Sequence, residues 1–244
     1  MKQIINRYER KYLITERQKN DLIGFLKDYL VEDPYSLEKK AYTIYNVYYD
    51  TFDHAIIRNS ISKPVYKEKL RLRCYKFPLD QEDYVYLEIK KKYQGVVNKR
   101  RLSLSFKQAI NYIENHEKPQ LKDDLDRQIF DEIDYFIKVH KAKPGAFISY
   151  DRIAMSLPNH TIRITFDHHI QFCKQQDFLS KQELHPILQD ENLWLMEIKS
   201  ENNFPLWLVN KLSSFELFGQ SFSKYGIAYQ QYLIGGVYDD HLLY

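Results

Sequence analysis

Five short stretches of this chain place charged residues at every second position, with aliphatic or aromatic residues between them. They are Lys69-Leu70-Arg71-Leu72-Arg73, Leu87-Glu88-Ile89-Lys90-Lys91-Lys92, Lys99-Arg100-Arg101-Leu102-Ser103-Leu104, Arg163-Ile164-Thr165-Phe166-Asp167 and Glu197-Ile198-Lys199. Side chains of a strand alternate between faces, so each stretch has one charged and one apolar face. Lys and Arg gathered on a common surface, with a few Glu among them, suit a polyanion. Arg grips phosphoryl oxygens with a planar fork, and Lys acts as a compact charge. A phosphate chain fits this pattern better than a nucleic acid does.

The charged faces have two possible placements. Turned to solvent, they leave an ordinary apolar core between sheet and helices. In a sheet closed into a barrel with helices outside, they line the lumen instead. The recurrence of Lys and Arg on the same face of so many strands favours the lumen. Like charges directly opposite one another destabilise a sheet unless something neutralises them, and a polyphosphate with a divalent cation would do so.

The elements that must carry these residues follow from apolar periodicity. Strands are expected from Tyr8 to Ile14, Tyr42 to Tyr49, Pro64 to Tyr75, Tyr84 to Lys92, Val97 to Leu104, Ala146 to Ser156, Thr161 to Phe172 and Leu193 to Lys199. Helices are expected from the capping-box pattern Thr15-Glu16-Arg17-Gln18 to about Leu30, from Asp53 through Arg58, and over Phe106 to Asn115 and Leu125 to Val139. Two more are expected from Pro205 to about Phe218 and from Ile227 to Ile234. Pro34 falls after the first helix, Gly95 marks a turn, and Gly235-Gly236 reads as a helix stop, with no phosphate-loop context. The fold class is α+β: one domain over residues 1–244, with its core at about 4–235, built as an antiparallel β-barrel with helices packed outside.

Composition narrows the function. The chain has 15% aromatic residues including 21 Tyr, which favours sheet over a helix bundle. Its net charge is only +3, so an anion site must come from local arrangement, and a nucleic-acid partner is disfavoured. Cys74 and Cys173 have no metal-type spacing and make no disulfide framework, which fits reduced thiols. The amino terminus has no signal-type apolar core and no run is long enough to span a bilayer, so a cytoplasmic protein without a membrane segment is expected. His168 and His169 are adjacent on a strand, where neighbours point to opposite faces, so a shared metal is not expected. Asp167 reads as a metal ligand or an ion-pair partner, with Arg163 the favoured partner.

Several motifs follow one another along the chain: Arg7-Tyr8-Glu9-Arg10-Lys11-Tyr12, Val47-Tyr48-Tyr49-Asp50-Thr51, Leu70-Arg71-Leu72-Arg73-Cys74-Tyr75, Leu87-Glu88-Ile89-Lys90-Lys91, Ser149-Tyr150-Asp151-Arg152, Arg163-Ile164-Thr165-Phe166-Asp167, Met196-Glu197-Ile198-Lys199 and Ser223-Lys224-Tyr225. Taken in order, they resemble the catalytic domain of the vacuolar transporter chaperone (VTC) family, among the triphosphate tunnel metalloenzymes related to the CYTH proteins. The resemblance implies a barrel whose lumen is a basic tunnel. It also implies a polyphosphate polymerase that moves the γ-phosphoryl group of ATP onto a growing chain with Mn²⁺ or Mg²⁺. It assigns Lys11, Arg71, Arg73, Lys90, Arg152 and Arg163 to phosphoryl oxygens, Glu197 to the metal, and Lys224 with Ser223 to the tunnel mouth. Lys69, Lys199 and Tyr150 are further candidates for contact with substrate. Alternation from Ser103 favours Lys99 and Arg101 for the lumen. Glu88 is either a second metal ligand or the partner of a neighbouring Arg. Arg7-x-Glu9-x-Lys11 stands where the wider CYTH group has Glu-x-Glu-x-Lys, which favours a polymerase over a triphosphatase. Two other functions stay open. One is a tunnel hydrolase of inorganic or nucleoside triphosphate. The other is a polyphosphate-binding module without catalysis.

Overall fold

The computed structural model describes residues 4–33, 41–94, 96–174 and 184–234. Pro34, the Gly95 turn and the Gly235-Gly236 stop lie outside the described residues. In chain order the elements are β1 (Ile4–Thr15), α1 (Glu16–Leu26), β2 (Val31–Glu32), β3 (Tyr42–Asp50), α2 (Ala55–Ile61), β4 (Tyr66–Cys74), β5 (Tyr84–Tyr93) and β6 (Val96–Ser105). Then come α3 (Phe106–Asn115), α4 (Asp124–His140), β7 (Lys143–Ser156), β8 (Ile162–Lys174), β9 (His185–Pro186), β10 (Leu193–Ser200), α5 (Leu206–Ser214) and α6 (Lys224–Ala228), which runs on into a π-turn at Tyr229–Leu233.

Every strand pairing is antiparallel, in the order β2-β7-β3-β4-β5-β6-β1-β10-β8-β9, and β7 also pairs with β8. The eight long strands therefore return on themselves as a continuous curved wall. The strand period of 2 gives that wall two faces. Leu70, Leu72, Leu87, Ile89, Leu102 and Leu104 turn outward from β4–β6 and pack against Ala109 and Tyr112 of α3 and Ile129, Phe130, Ile133 and Phe136 of α4. Tyr12, Ile14, Ile164, Phe166, Met196 and Ile198 turn outward on the other side, under Leu22 and Leu26 of α1 and Leu208 and Leu212 of α5. With both outer faces covered by helices, the charged alternate positions are left to face inward.

A third core lies on the inner face at one end. There Phe222, Tyr225, Ala228 and Tyr229 pack against Ile44, Ile148, Ile170, Phe172 and Leu195. Ser223 starts α6 as its N-cap, its Oγ accepting from the Gly226 amide at 3.2 Å. The helix thus begins at Lys224 and not at Ile227. At the first helix the capping box forms as the sequence predicts, with Thr15 and Gln18 exchanging bonds. That helix ends at Leu26, and a turn still delivers Leu30 to the core that α1 covers. Similarly, α5 stops at Ser214, short of Phe218.

The two histidines depart from strand alternation. The β7–β8 register shifts between Ser149 and Asp151, and His169 adopts a left-handed φ of 46°. This bulge keeps Ile170 and Phe172 on the inner face and turns both imidazoles outward. Their ring centroids lie 4.0 Å apart, and His168 stacks on Trp194. Among the described residues no helix is long and apolar enough to cross a membrane.

Candidate active site

Cross-strand register assembles the inner layer. Lys69 lies opposite Lys90 and Arg71 opposite Glu88 across β4–β5. Lys90 lies opposite Lys99 and Glu88 opposite Arg101 across β5–β6. Lys11 faces Glu197, Lys199 faces Arg163, and Arg152 faces Asp167. The structure thus brings Lys11, Lys69, Arg71, Arg73, Lys90, Lys99, Arg101, Arg152, Lys199 and Lys224 to one surface. Arg100, between Lys99 and Arg101, points outward to Glu132 of α4. That agrees with the alternation counted from Ser103.

The first cluster is built around Glu88, which is 1% exposed. Its Oε2 accepts from Arg71 Nε at 2.8 Å, and its Oε1 accepts from Lys99 Nζ at 2.5 Å and Arg101 Nε at 2.7 Å. Arg73 stands 3.7 Å away and donates to Asn46 Oδ1 and the Tyr150 hydroxyl, both at 3.0 Å. Arg71 also donates to the Tyr48 hydroxyl. Burial alone would raise the Glu88 carboxyl, but Lys99, Arg73, Arg71 and Arg101 hold it well below the usual range. Glu88 pairs with neighbouring Arg, one of its two expected roles, and its charge fixes the guanidinium forks.

The second cluster is built around Asp167, which is fully buried. It accepts from Arg152 Nε at 2.6 Å and NH2 at 2.8 Å, and from Lys224 Nζ at 2.6 Å. Arg163, the expected partner, instead donates to Asp33 at 2.8 Å and to the Tyr42 hydroxyl at the far end of the layer. The reason is register: Arg163 lies four residues from Asp167 on β8, whereas Arg152 lies directly opposite it. Burial works against the Asp167 charge, yet Arg152 and Lys224 hold its carboxyl down to about 2. Lys224 Nζ sits 4.3 Å over the Tyr150 ring. Burial opposes ionisation of the Tyr150 phenol, while Arg73, Arg152 and Lys224 outweigh it and bring its pKa down to about 8.

The third cluster joins Glu197 and Glu9. Glu197 pairs with Lys199 at 2.8 Å and lies 4.0 Å from Lys11, and Glu9 accepts from Lys90 at 2.6 Å. Burial opposes the Glu197 charge, but Lys199, Lys11, Lys90 and Lys224 keep it ionised well below the usual range. These are the two inner-face carboxylates that would hold Mn²⁺ or Mg²⁺. Among the described residues no group of three or more His, Cys, Asp or Glu comes together. The donor set therefore fits a hard cation shared with phosphate oxygens, which needs only one or two protein carboxylates. Sequence reasoning left Glu9 out of the site, although its alternation with Lys11 places it on the same face. Asn46, Tyr48 and Asp33 carry no comparable signal, because neutral strand residues and a residue next to a two-residue strand fit any wall.

Lys11 and Lys69 reach the amino end of α6. Lys11 Nζ donates to the Phe222 carbonyl at 2.7 Å, and Lys69 Nζ to Ser223 Oγ at 3.1 Å. Burial, then Lys11, Lys67 and Lys90, lowers Lys69 to about 7. Burial, which prevails over the opposing pull of Glu197 and is reinforced by Lys90 and Lys224, lowers Lys11 to about 8. Each is a full cation only below its pKa, and a polyanion binds the cationic form. Affinity for tripolyphosphate should therefore be greatest on the acid side and fall as pH rises through 7 to 8, well below the ordinary lysine range. Calorimetric titration across that window checks this, and a flat affinity would contradict it.

Residues 6–233 match the family model of the VTC domain. Among solved structures, one similar chain is a putative adenylate cyclase from Bacillus halodurans, with a TM-score of 0.56, 15% identity, and 91% of this chain and 96% of that chain covered. Another is the Mimivirus capping enzyme triphosphatase, with a TM-score of 0.36, 7% identity, and coverage of 85% and 88%. Comparison with curated proteins gives no significant match. At this identity the cyclase likeness speaks for the fold alone. The family match spans nearly all the residues that build the wall and its inner layer, and on that basis the chain belongs to the VTC domain family.

Proposed function

We propose that the protein is an ATP-dependent polyphosphate polymerase that transfers the γ-phosphoryl group of ATP to a growing polyphosphate chain on its charged inner layer. The observation that carries this reading is the excess of cations over acids on one enclosed surface. There Glu88, Asp167, Glu197 and Glu9 are each already engaged by Lys or Arg. Such a surface is short of negative charge, and a phosphate chain provides it at regular intervals. Arg71, Arg73, Arg101 and Arg152 grip phosphoryl oxygens with forks that Glu88, Asn46 and Asp167 hold in place. Lys11, Lys69, Lys90, Lys99, Lys199 and Lys224 offset the remaining charge. Such fixed donors, aligned before substrate arrives, account for most of the catalysis that phosphoryl transfer requires. When bound at Glu197 and Glu9, Mn²⁺ or Mg²⁺ supplies further neutralisation between phosphate oxygens.

Purified protein incubated with ATP and Mn²⁺ tests the reading when ADP, free phosphate and acid-stable polymer are followed together. ADP appearing with polymer, and little free phosphate, is the expected result. Free phosphate without polymer would assign the site to a triphosphate hydrolase. Tight triphosphate binding without turnover would make it a binding module.

A further inference from the structure

We propose that the end of the inner layer at Lys67 and Lys92 is an accessory anion subsite that takes the distal phosphates of a linear polyphosphate, beyond those held by the clusters around Glu88, Asp167 and Glu197. The proposal rests on the reading of polyphosphate as the ligand of this surface. Across β4–β5, Lys67 lies directly opposite Lys92, Lys69 opposite Lys90, and Arg71 opposite Glu88. Successive steps of two residues keep all of these on the inner face. The ladder therefore continues outward from the Glu88 cluster through two Lys–Lys steps.

The inner step is partly neutralised, because Lys90 is paired with Glu9 at 2.6 Å. Among the described residues, no carboxylate pairs with Lys67 or Lys92 at the outer step. Burial, and after it the positive charges of Lys92, Lys63 and Lys90, lowers the Lys67 pKa. Its Nζ donates to the Ser60 carbonyl at 3.0 Å, which orients the ammonium and leaves its charge uncompensated. Like charges directly opposite on a sheet are destabilising unless a counter-charge is supplied. An anion arriving along the layer supplies one.

The path is defined by what fills the rest of this end. Phe222, Tyr225 and Tyr229 occupy the inner face along β3, β7 and β8. The wall left to a charged chain is that of β4 and β5. At the opposite end the layer closes differently. Arg163 is neutralised by Asp33, and the rings of Tyr42, Tyr75 and Tyr86 stand together. Among the described residues, the uncompensated lysine pair thus extends the layer in one direction.

The double variant Lys67→Gln, Lys92→Gln tests this by metal-free calorimetry with two probes, tripolyphosphate and a linear polyphosphate of tens of phosphates. The long chain should bind about tenfold more weakly with a shallower salt dependence, while tripolyphosphate affinity stays within about twofold of the wild type. Retained tripolyphosphate binding also shows that the variant is folded. Equal weakening for both probes would place the lysines in the core site and overturn the proposal. Unchanged affinity for both would make this end a solvated face and also overturn it. A wild-type protein that binds neither probe would overturn the polyphosphate reading itself, a result distinguishable from failure of the subsite.

Discussion

Glu197→Gln should lower metal-stimulated turnover by about 10²–10³-fold while metal-free binding of tripolyphosphate stays within about threefold of the wild type. The two halves of this expectation have separate causes. Glu197 is 7% exposed and held ionised by Lys199, Lys11, Lys90 and Lys224 against the cost of burial. It is therefore a carboxylate at neutral pH, as a hard-cation ligand must be. Glutamine keeps the shape and loses the charge, so a cation held there would lose a ligand. A phosphate chain would lose a like-charged neighbour, while Lys11 and Lys199 would lose a carboxylate that favours their charged forms, and the two effects oppose one another. Turnover measured against Mn²⁺ concentration, with binding measured in chelator, separates the effects. Unaltered metal activation would leave Glu9 as the sole ligand. A parallel collapse of binding would make Glu197 a structural pair for Lys199 and Lys11.

Much of this arrangement was legible in the residues, because strand alternation is a local property. Leu70, Leu72, Ile89 and Leu102 mark an outer face wherever the strands go, and Arg71, Glu88, Lys99 and Arg101 mark the other. Local spacing also fixed the helix starts at Thr15 and Ser105, where a side chain and the third residue on exchange bonds. Pairing across the wall was not legible. Whether Asp167 meets Arg163 or Arg152 depends on the register between β7 and β8, which is set by hydrophobic packing over the whole strand pair. The placement of His168 and His169 failed for a related reason. A bulge inserts one residue into the alternation, and nothing local in Asp167-His168-His169-Ile170 announces it. Glu88 was readable as inward-facing but not as the centre of four cations, because Arg73 and Arg101 reach it from different strands. The start of α6 at Lys224 was missed because a Ser-Lys-Tyr motif read as chemistry concealed the N-cap Ser223.

Asp167→Asn is expected to be the most destabilising of the inner-layer changes, at about 3–5 kcal/mol, because it leaves buried cations without their counter-ion. Arg152 is 6% exposed and Lys224 has little more contact with solvent, so neither can recover hydration where it stands. The loss reaches beyond the wall. Lys224 is the first residue of α6, and its bond to Asp167 ties that helix to β8. Linkage gives an independent check with a definite sign. The Asp167 carboxyl sits at about 2, below the usual value near 3.9 for an unfolded chain. A depressed carboxyl contributes stability that is fully present above the unfolded value and is lost as pH falls through 4 toward 2. Two units of depression correspond to about 2–3 kcal/mol. Denaturant unfolding at neutral pH should show the gap between wild type and variant, and the gap should narrow as pH falls through that window. Superimposable unfolding curves at neutral pH would mean that the Arg152–Asp167–Lys224 triad does not hold α6 to the wall. A gap that stays constant down to pH 2 would locate the cost in lost hydrogen-bond geometry and not in the charge.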